Sequence, residues 1–68
     1  MDPIDYIKAE MEGRGLKRKD LLPVFGTRAR ISDVFTKRRR LSLRMIRALH
    51  NDFHLSAEKL IGEYELNR

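Results

Sequence analysis

The 68-residue sequence contains no cysteine. Without cysteine the chain can form no disulfide and no thiolate zinc site, and it has no cysteine nucleophile. This composition suits a reducing compartment. A chain of this length is close to the lower limit at which a hydrophobic core alone stabilises a fold. We therefore expect a single small domain, residues 1–68, with marginal stability.

Long apolar runs are also missing. No apolar run exceeds three residues, whereas a membrane-spanning helix needs roughly 20 apolar residues. The acidic start, MDPIDYIKAE, lacks the basic and apolar regions of a secretory signal. These absences predict a soluble, cytoplasmic protein without a membrane partner.

Patterns typical of enzymes and metal sites are scarce. The sequence has no Gly-rich phosphate loop and no evident Ser/His/Asp set, and so short a chain offers little volume for a substrate pocket. His50 and His54 have the i,i+4 spacing of two metal ligands on a helix. The HExxH glutamate is missing, however, and His54 falls at a predicted helix end. A capping or partly buried role is favoured for these histidines, and we expect a non-enzyme without cofactor or metal.

The charge that is present is concentrated in one segment. Between Arg14 and Arg40 lie ten Lys or Arg but only two Asp, a net charge of +8, whereas the whole chain carries +5. A solvated surface would explain any single cation in a chain with 37% charged residues, but it explains this concentration poorly. A localised positive field indicates a polyanionic partner, of which nucleic acid is the simplest.

Apolar residues recur at three- and four-residue steps, which predicts a compact, all-α bundle of five helices. The predicted helices run from Pro3 to about Glu12, from Lys17 or Arg18 to Phe25, from Arg28 to about Lys37, from Leu43 to about Phe53, and from Ala57 to about Tyr64. Glu65–Arg68 are expected to fray. The second and third helices, joined at Gly26 and Thr27, form a predicted helix-turn-helix.

Polar residues, glycines and prolines set the predicted helix boundaries. The expected N-terminal caps are Asp2, Thr27, Ser42 and Ser56. Gly13 and Gly15 are expected to end the first helix and Gly26 the second. Pro23 lies too far inside the second helix to occupy its first position, so we expect a kink there or a late, irregular start.

The fourth helix and the aromatic residues are assigned to the core. On the fourth helix Leu43, Ile46, Leu49 and Phe53 are predicted to face inward, with Met45 partly buried. Phe25, Phe35 and Phe53 each fall on an apolar stripe. They are therefore expected to pack in the core rather than to stack on bases.

The third helix has two contrasting faces. Ile31, Val34 and Phe35 cluster on one side, and the opposite side carries Ala29, Ser32, Asp33 and Thr36. Arg30 and Lys37 flank this small polar face, and Arg28 lies at its exposed N-terminal end. Small residues allow a helix to approach a groove closely, and Arg can bind guanine through two hydrogen bonds. The pattern is typical of a recognition helix.

Some of these cations have other interpretations. Arg30 could pair with Asp33 at i,i+3, an interaction worth only about 0.2–0.5 kcal/mol. Lys37–Arg40 contains no apolar residue and is predicted to be an exposed basic loop. The same run matches a nuclear-localisation or heparin-binding pattern, but contact with the DNA backbone is favoured.

Motifs along nearly the whole chain resemble a known family. They are Gly15-Leu16, Lys19-Asp20-Leu21, Pro23, Gly26, Arg28, Arg30-Ile31-Ser32-Asp33-Val34 and, above all, Leu41-Ser42-Leu43-Arg44-Met45-Ile46-Arg47-Ala48-Leu49-His50. This pattern is similar to the DNA-binding domain of HigA-type antitoxins, within the Xre, lambda-repressor-like, helix-turn-helix proteins. The resemblance implies a homodimeric operator-binding repressor, often of a toxin–antitoxin operon. It places Arg28, Arg30 and Ser32 near bases, and it places Arg18, Thr27, Lys37, Arg38 and Arg39 at phosphates.

The chain departs from the family pattern at several points. Many Xre members have Ser or Thr followed by Gln where this chain has Lys17-Arg18. The change replaces a cap and an amide by charge, and it implies more dependence on phosphates. Arg40 stands where HigA relatives often have proline, and the usual glycine or asparagine before the basic loop is absent. HigA proteins often carry an additional toxin-binding region, for which 68 residues leave little space.

These observations predict a sequence-specific DNA-binding repressor that reads bases through the third helix and releases counterions from phosphates. One recognition helix makes few base contacts, so we expect a homodimer on half-sites roughly 34–36 Å apart. The predicted dimer surface is the fifth helix, with Leu55, Leu60, Ile61 and Tyr64. The main alternative is a protein-interaction module that docks its basic surface on a toxin or another acidic partner. RNA binding through exposed aromatics lacks support.

Overall fold

Five α-helices and one 3-10 helix make up the regular structure of residues 1–67, the part of the chain that the computed structural model describes. The helices are α1 (Pro3–Arg14), the 3-10 helix (Arg18–Leu21), α2 (Leu22–Phe25), α3 (Arg28–Phe35), α4 (Leu43–Phe53) and α5 (Ala57–Leu60). No strand occurs among these residues. The predicted all-α fold class is confirmed.

Side-chain caps fix the starts of four helices. The accepting oxygens belong to Asp2 in α1, Thr27 in α3, Ser42 in α4 and Ser56 in α5. Each accepts from the backbone N–H three residues later, at 2.9 to 3.3 Å. A cap of this type contributes about 1 kcal/mol. The four helix starts predicted from these residues are therefore confirmed.

The end of α1 and the start of α2 are set by glycine and proline. Gly15 adopts a left-handed φ of 68° and closes α1, whereas Gly13 lies within the helix, which is two residues longer than predicted. The next segment begins as a 3-10 helix, and Pro23 occupies the second position of α2. Proline is tolerated in a first helical turn because no N–H is needed there. The predicted irregular start of this segment is confirmed.

Two helices end earlier than predicted. α3 ends at Phe35 rather than near Lys37, because Lys37 has a left-handed φ of 61°. α5 is a single turn that ends at Leu60 rather than near Tyr64. The Tyr64 hydroxyl instead accepts from the Leu41 N–H, so the chain after α5 runs along the loop between α3 and α4.

The expectation that residues 65–68 fray is wrong at Asn67. Its backbone N–H donates to the Lys37 carbonyl, and its side-chain amide donates to the Thr36 carbonyl. Arg68 lies outside the described residues. The segment after α5 therefore packs against the end of α3.

The core lies where all five helices meet. α5 packs against α1 and α4, and α2 packs against α3 and α4. The buried apolar residues are Ile4, Ile7, Met11, Leu21, Val24, Phe25, Ile31, Val34, Phe35, Met45, Leu49, Leu55 and Leu60. The rings of Phe25 and Phe35 meet edge to face, with centroids 6.1 Å apart. Their predicted place in the core is confirmed, while Phe53 is half-buried against it.

The inward face of α4 differs from the prediction at two residues. Leu43 is 60% exposed, whereas Met45 is buried. Met45, Leu49 and Phe53 follow one another at four-residue steps and form the inner stripe. Leu43 precedes Met45 by two positions, which places it about 200° away around the helix. The assignment of Leu43 to the core is therefore wrong.

The helices are short and carry many charged side chains. No helix within residues 1–67 has the length and apolar character needed to cross a membrane. The longest, α1, has 12 residues and carries several charged side chains.

Candidate nucleic-acid interface

The outer face of α3 is exposed along its length. Arg28, Ala29, Arg30 and Ser32 all face solvent, while Ile31, Val34 and Phe35 anchor the opposite side in the core. The Thr27 hydroxyl accepts from the Arg30 N–H at 3.1 Å and so orders the first turn. Within residues 1–67 neither arginine forms an ion pair, and the alternative pairing of Arg30 with Asp33 is not present. The result is a polar face bordered by guanidinium groups that no acid in the described part of the chain pairs with.

A basic cleft lies between the 3-10 helix and α3. It has a volume of about 350 Å³ and is lined by Lys17, Arg18, Lys19, Arg28 and Ile31. Because Ile31 is fully buried, the groups that a ligand would meet are cationic. The nearby Asp20 carboxylate accepts from the Lys17 N–H at 2.8 Å. None of the four cations pairs with an acid among the described residues.

Arg18 is held in this cleft by an aromatic contact. Its guanidinium carbon lies 5.1 Å from the centroid of the Phe35 ring, and the ammonium of Lys8 lies 5.9 Å from the same centroid. A cation–π contact at an exposed site is worth about 0.5–1 kcal/mol. The Arg18 guanidinium is thereby held over Phe35, the last residue of α3, and Arg18 remains exposed.

A second, smaller groove lies beside Arg30 of α3. It has a volume of about 100 Å³, and Arg30, Ser42 and Arg44 line it together with residues 23–26 and Met45. Arg44 occupies the second position of α4, two residues after the capping Ser42. Two depressions that contain arginine therefore adjoin α3, one beside Arg28 and one beside Arg30.

The basic run Lys37–Arg40 is divided by its surroundings. Lys37 is half-buried, and its ammonium lies 2.5 Å from the Asp2 carboxylate. Arg40 lies over the ring of Tyr64, 5.5 Å from its centroid, and donates to the Tyr64 carbonyl at 3.3 Å. Arg38 and Arg39 are exposed, and their side chains form no ion pair within residues 1–67. The run is therefore not a uniform basic loop.

The Asp2–Lys37 pair changes the proton affinity of both groups. Partial burial by itself raises the pKa of Asp2, but hydrogen bonds from Lys37 and the Asp5 N–H, together with the Lys37 charge, outweigh it. The pKa of Asp2 therefore lies below its usual value. The hydrogen bond to Asp2 holds the pKa of Lys37 above its usual value despite the accompanying desolvation. Both shifts favour the charged pair.

The predicted dimer surface on the fifth helix requires correction. Leu55 and Leu60 are 4% and 1% exposed, because the single turn of α5 completes the chain's own core against α1 and α4. Tyr64 is half-buried against the α3–α4 loop. Of the four residues assigned to this surface, Ile61 alone is largely exposed, at 63%.

The two histidines have structural contacts. His54 adopts a left-handed φ of 57° and caps the end of α4, as predicted. His50 donates through Nδ1 to the Leu55 carbonyl at 2.7 Å. Within residues 1–67 no group of three or more His, Cys, Asp or Glu side chains is suited to hold a metal ion.

The structure adds three cations that sequence reasoning did not assign to the site. Lys17 and Lys19 were counted in the basic segment and in the comparison with the family pattern, but neither was assigned to a base or a phosphate, and Arg44 lies outside the basic segment. The available signal was position, because each of the three residues is next to the first residue of the 3-10 helix or of α4.

Comparison with known proteins gives no assignment. No protein-family model, curated protein or solved structure matches this chain.

Proposed function

We propose that this chain is a sequence-specific DNA-binding domain that acts in the cytoplasm as a non-enzymatic transcriptional repressor. The observation that carries the proposal is the exposed polar face of α3, with the basic cleft beside Arg28 and a second groove that brings Arg44 near Arg30. The resemblance to HigA-type antitoxins supports the same function. α2, the turn at Gly26 and Thr27, and α3 would then form the helix-turn-helix, with α3 in the major groove.

Base reading in this proposal depends on three side chains of α3. Arg28 and Arg30 can each donate two hydrogen bonds to guanine O6 and N7, and Ser32 can bond to either a base or a phosphate. Ala29 lies between the arginines and adds almost no bulk, so the helix can approach the base edges closely. Arg28 also lines the basic cleft, so it can reach either a base or a backbone phosphate.

Phosphate binding would come from cations around α3. The basic cleft supplies Lys17, Arg18 and Lys19, the loop after α3 supplies Arg38 and Arg39, and the second groove supplies Arg44. Thr27 lies at the N-terminal end of α3, where its backbone can face a phosphate. Each phosphate that is neutralised releases counterions and so makes binding depend on salt. These contacts would set the position of α3 without reading sequence.

The proposed partners follow from the number of base contacts. One copy of α3 offers few of them, so we propose a homodimer on half-sites roughly 34–36 Å apart. With most of the apolar surface of α5 buried, the exposed Leu43 and Ile61 are the large apolar residues left for such a contact on α4 and just after α5. By resemblance, the regulated operon encodes a toxin and its antitoxin, and the toxin is a further proposed partner.

Selection from random duplex DNA tests this proposal directly. The expected result is one enriched, palindromic site, bound more tightly than duplex RNA of the same sequence. Arg28→Ala protein, selected in parallel, should lose preference at one base pair of each half-site. The absence of any enriched site would contradict the proposal. Capture of an acidic protein without DNA binding would favour an interaction module instead.

A further inference from the structure

An ion pair with Asp2 holds Lys37 at the end of α3. The backbone of Lys37 has a φ of 61°, which lies in the left-handed region that residues other than glycine seldom adopt. Such a conformation persists only where surrounding contacts enforce it. Here Asp2, the cap of α1, pairs with the Lys37 ammonium at 2.5 Å. The residue that caps the start of α1 therefore fixes the position of Lys37 at the end of α3.

Asn67 supplies a second contact at the same place. Its backbone N–H donates to the Lys37 carbonyl at 2.6 Å, and its side-chain amide donates to the Thr36 carbonyl at 3.0 Å. The last carbonyls of a helix have no donor within the helix and need one from outside. The Asn67 side chain donates to one of these carbonyls, that of Thr36, which is the C-terminal cap of α3.

Tyr64 supplies a third contact at the far end of the basic run. Its hydroxyl accepts from the Leu41 N–H at 3.2 Å, and its carbonyl accepts from the Arg40 guanidinium at 3.3 Å. The same guanidinium lies over the ring. Arg40 is thus drawn toward the segment that follows α5.

Between these held ends, the backbone of the run turns back on α3. The N–H groups of Arg38 and Arg39 donate to the Asp33 carbonyl at 2.8 and 3.2 Å. Their side chains project into solvent. Within residues 1–67, two cations of the run are therefore engaged by other groups, and the other two have no ion-pair partner.

We propose that Asp2, Tyr64 and Asn67 are positioning residues for DNA binding, which hold the loop 37–40 so that Arg38 and Arg39 contact phosphates while Lys37 and Arg40 serve as anchors. The DNA part of this inference rests on the proposed function. The clamp formed by these three residues can be tested without DNA.

Asn67→Ala is the most informative variant, because it removes a hydrogen-bonding side chain without changing charge. We expect it to weaken binding to the selected duplex about three- to tenfold and to lower the slope of log affinity against log salt. In an Arg38→Ala/Arg39→Ala background the same substitution should have no effect on affinity. Asn51→Ala, at an exposed position of α4, is the matched control and should bind like the wild type.

Two outcomes of this double-mutant comparison would overturn the proposal. One is an equal loss from Asn67→Ala in both backgrounds, which would mean that it does not act through Arg38 and Arg39. The other is no loss in either background. Asn67→Gln, which keeps the amide donor, should recover part of the wild-type affinity, and circular dichroism should show unchanged helix content in every variant.

Hydrogen exchange of the free protein separates failure of the clamp from failure of the proposed function. Asn67→Ala should raise the exchange rate of the Arg38 and Arg39 amides at least several-fold, while the amides of α4 stay unchanged. Unchanged exchange at both residues would refute the clamp whatever the DNA result. Faster exchange in a protein that binds no duplex would refute the proposed function alone.

Discussion

Adjacent residues of the basic run have different surroundings and therefore different consequences for binding. Lys37 points toward Asp2, and Arg38 points into solvent. Charge counting treats the two as equal, but a cation that is already paired must first leave its partner before it can neutralise a phosphate. The predicted phosphate contact of Lys37 therefore stays a prediction that the ion pair disfavours.

Replacing Arg28 by Ala should remove a contact to a base. The expected loss is about 1–3 kcal/mol of binding free energy, with relaxed preference at one base pair. Lys19→Ala should instead weaken all sequences alike and reduce the salt slope by about 1. Mobility-shift titrations at several salt concentrations measure both effects.

Lys59→Ala is the charge-matched control for these two variants. Lys59 lies on α5 over the Tyr6 ring, and α5 packs against α1 and α4. If Arg28→Ala and Lys59→Ala lower affinity equally and without a change in sequence preference, the recognition role of α3 is refuted.

The Asp2–Lys37 pair predicts a dependence of stability on pH. The pKa of Asp2 is lower in the folded protein than its usual value of 3.8. Its contribution is therefore fully present above pH 3.8 and is lost as the pH falls through the folded-state pKa. Lys37 faces Asp2, Asp5 and Tyr64, and its raised pKa makes its contribution disappear only at alkaline pH, above 10.5.

Urea unfolding of the wild type and of Asp2→Asn checks this dependence. Asparagine keeps an oxygen for the Asp5 N–H and removes the charge. The wild type should be the more stable protein at pH 6, and the difference should shrink below pH 3.8. A difference that stays constant from pH 6 to pH 2.5 would show that the ion pair does not contribute.

At the scale of the helices, caps and glycines determine where each element begins and ends. Asp2, Thr27 and Ser42 act on amides only three residues away, so the sequence alone was enough to locate those starts. The end of α3 was not predictable in this way. It depends on Asp2 and Asn67, which lie about 30 residues or more from Lys37 along the chain.

The inward face of α4 shows a related limit. A stripe that begins at Leu43 and one that begins at Met45 both match helical periodicity. Contact with α2 and α5 decides between them, and those contacts are not local in sequence. Predicting the basic cleft would also have required contacts that are not local in sequence. Lys17 and Lys19 come close to Arg28 only when the chain folds back after Gly26.

Gly13 and Gly15 provide a matched test of the end of α1. A Cβ added at either position meets no atom within 4 Å, and Gly15 alone has a left-handed φ. Gly13→Ala should stabilise the protein by about 0.5–1 kcal/mol, and Gly15→Ala should destabilise it by about 1–2 kcal/mol. Thermal unfolding measures both changes. Equal effects of the same sign would contradict this assignment of the helix end.

At the scale of the whole molecule, the short α5 matters through its contribution to the core. Leu60 is 1% exposed and the adjacent Ile61 is 63% exposed. Leu60→Ala should cost about 2–5 kcal/mol of stability, a large fraction of the roughly 3–10 kcal/mol expected for a domain of this size. Ile61→Ala should change stability by less than about 0.5 kcal/mol. Urea unfolding monitored by circular dichroism compares the two variants.

Ile61→Ala also tests the revised dimer surface. If the exposed Ile61 takes part in self-association, its replacement should shift the protein toward monomer in sedimentation experiments while leaving the unfolding midpoint of the monomer unchanged. A comparable loss of stability in Ile61→Ala and Leu60→Ala would contradict the different burial of these two residues.

The two tyrosines lie at different joints of the molecule. The Tyr6 hydroxyl accepts from the Ser56 N–H where α1 meets α5, and the Tyr64 hydroxyl accepts from the Leu41 N–H beside the basic run. The sequence has no tryptophan to mask phenol emission. Each joint therefore carries its own intrinsic chromophore, and single Tyr→Phe variants would let ultraviolet spectroscopy follow loosening at either one in unlabelled protein.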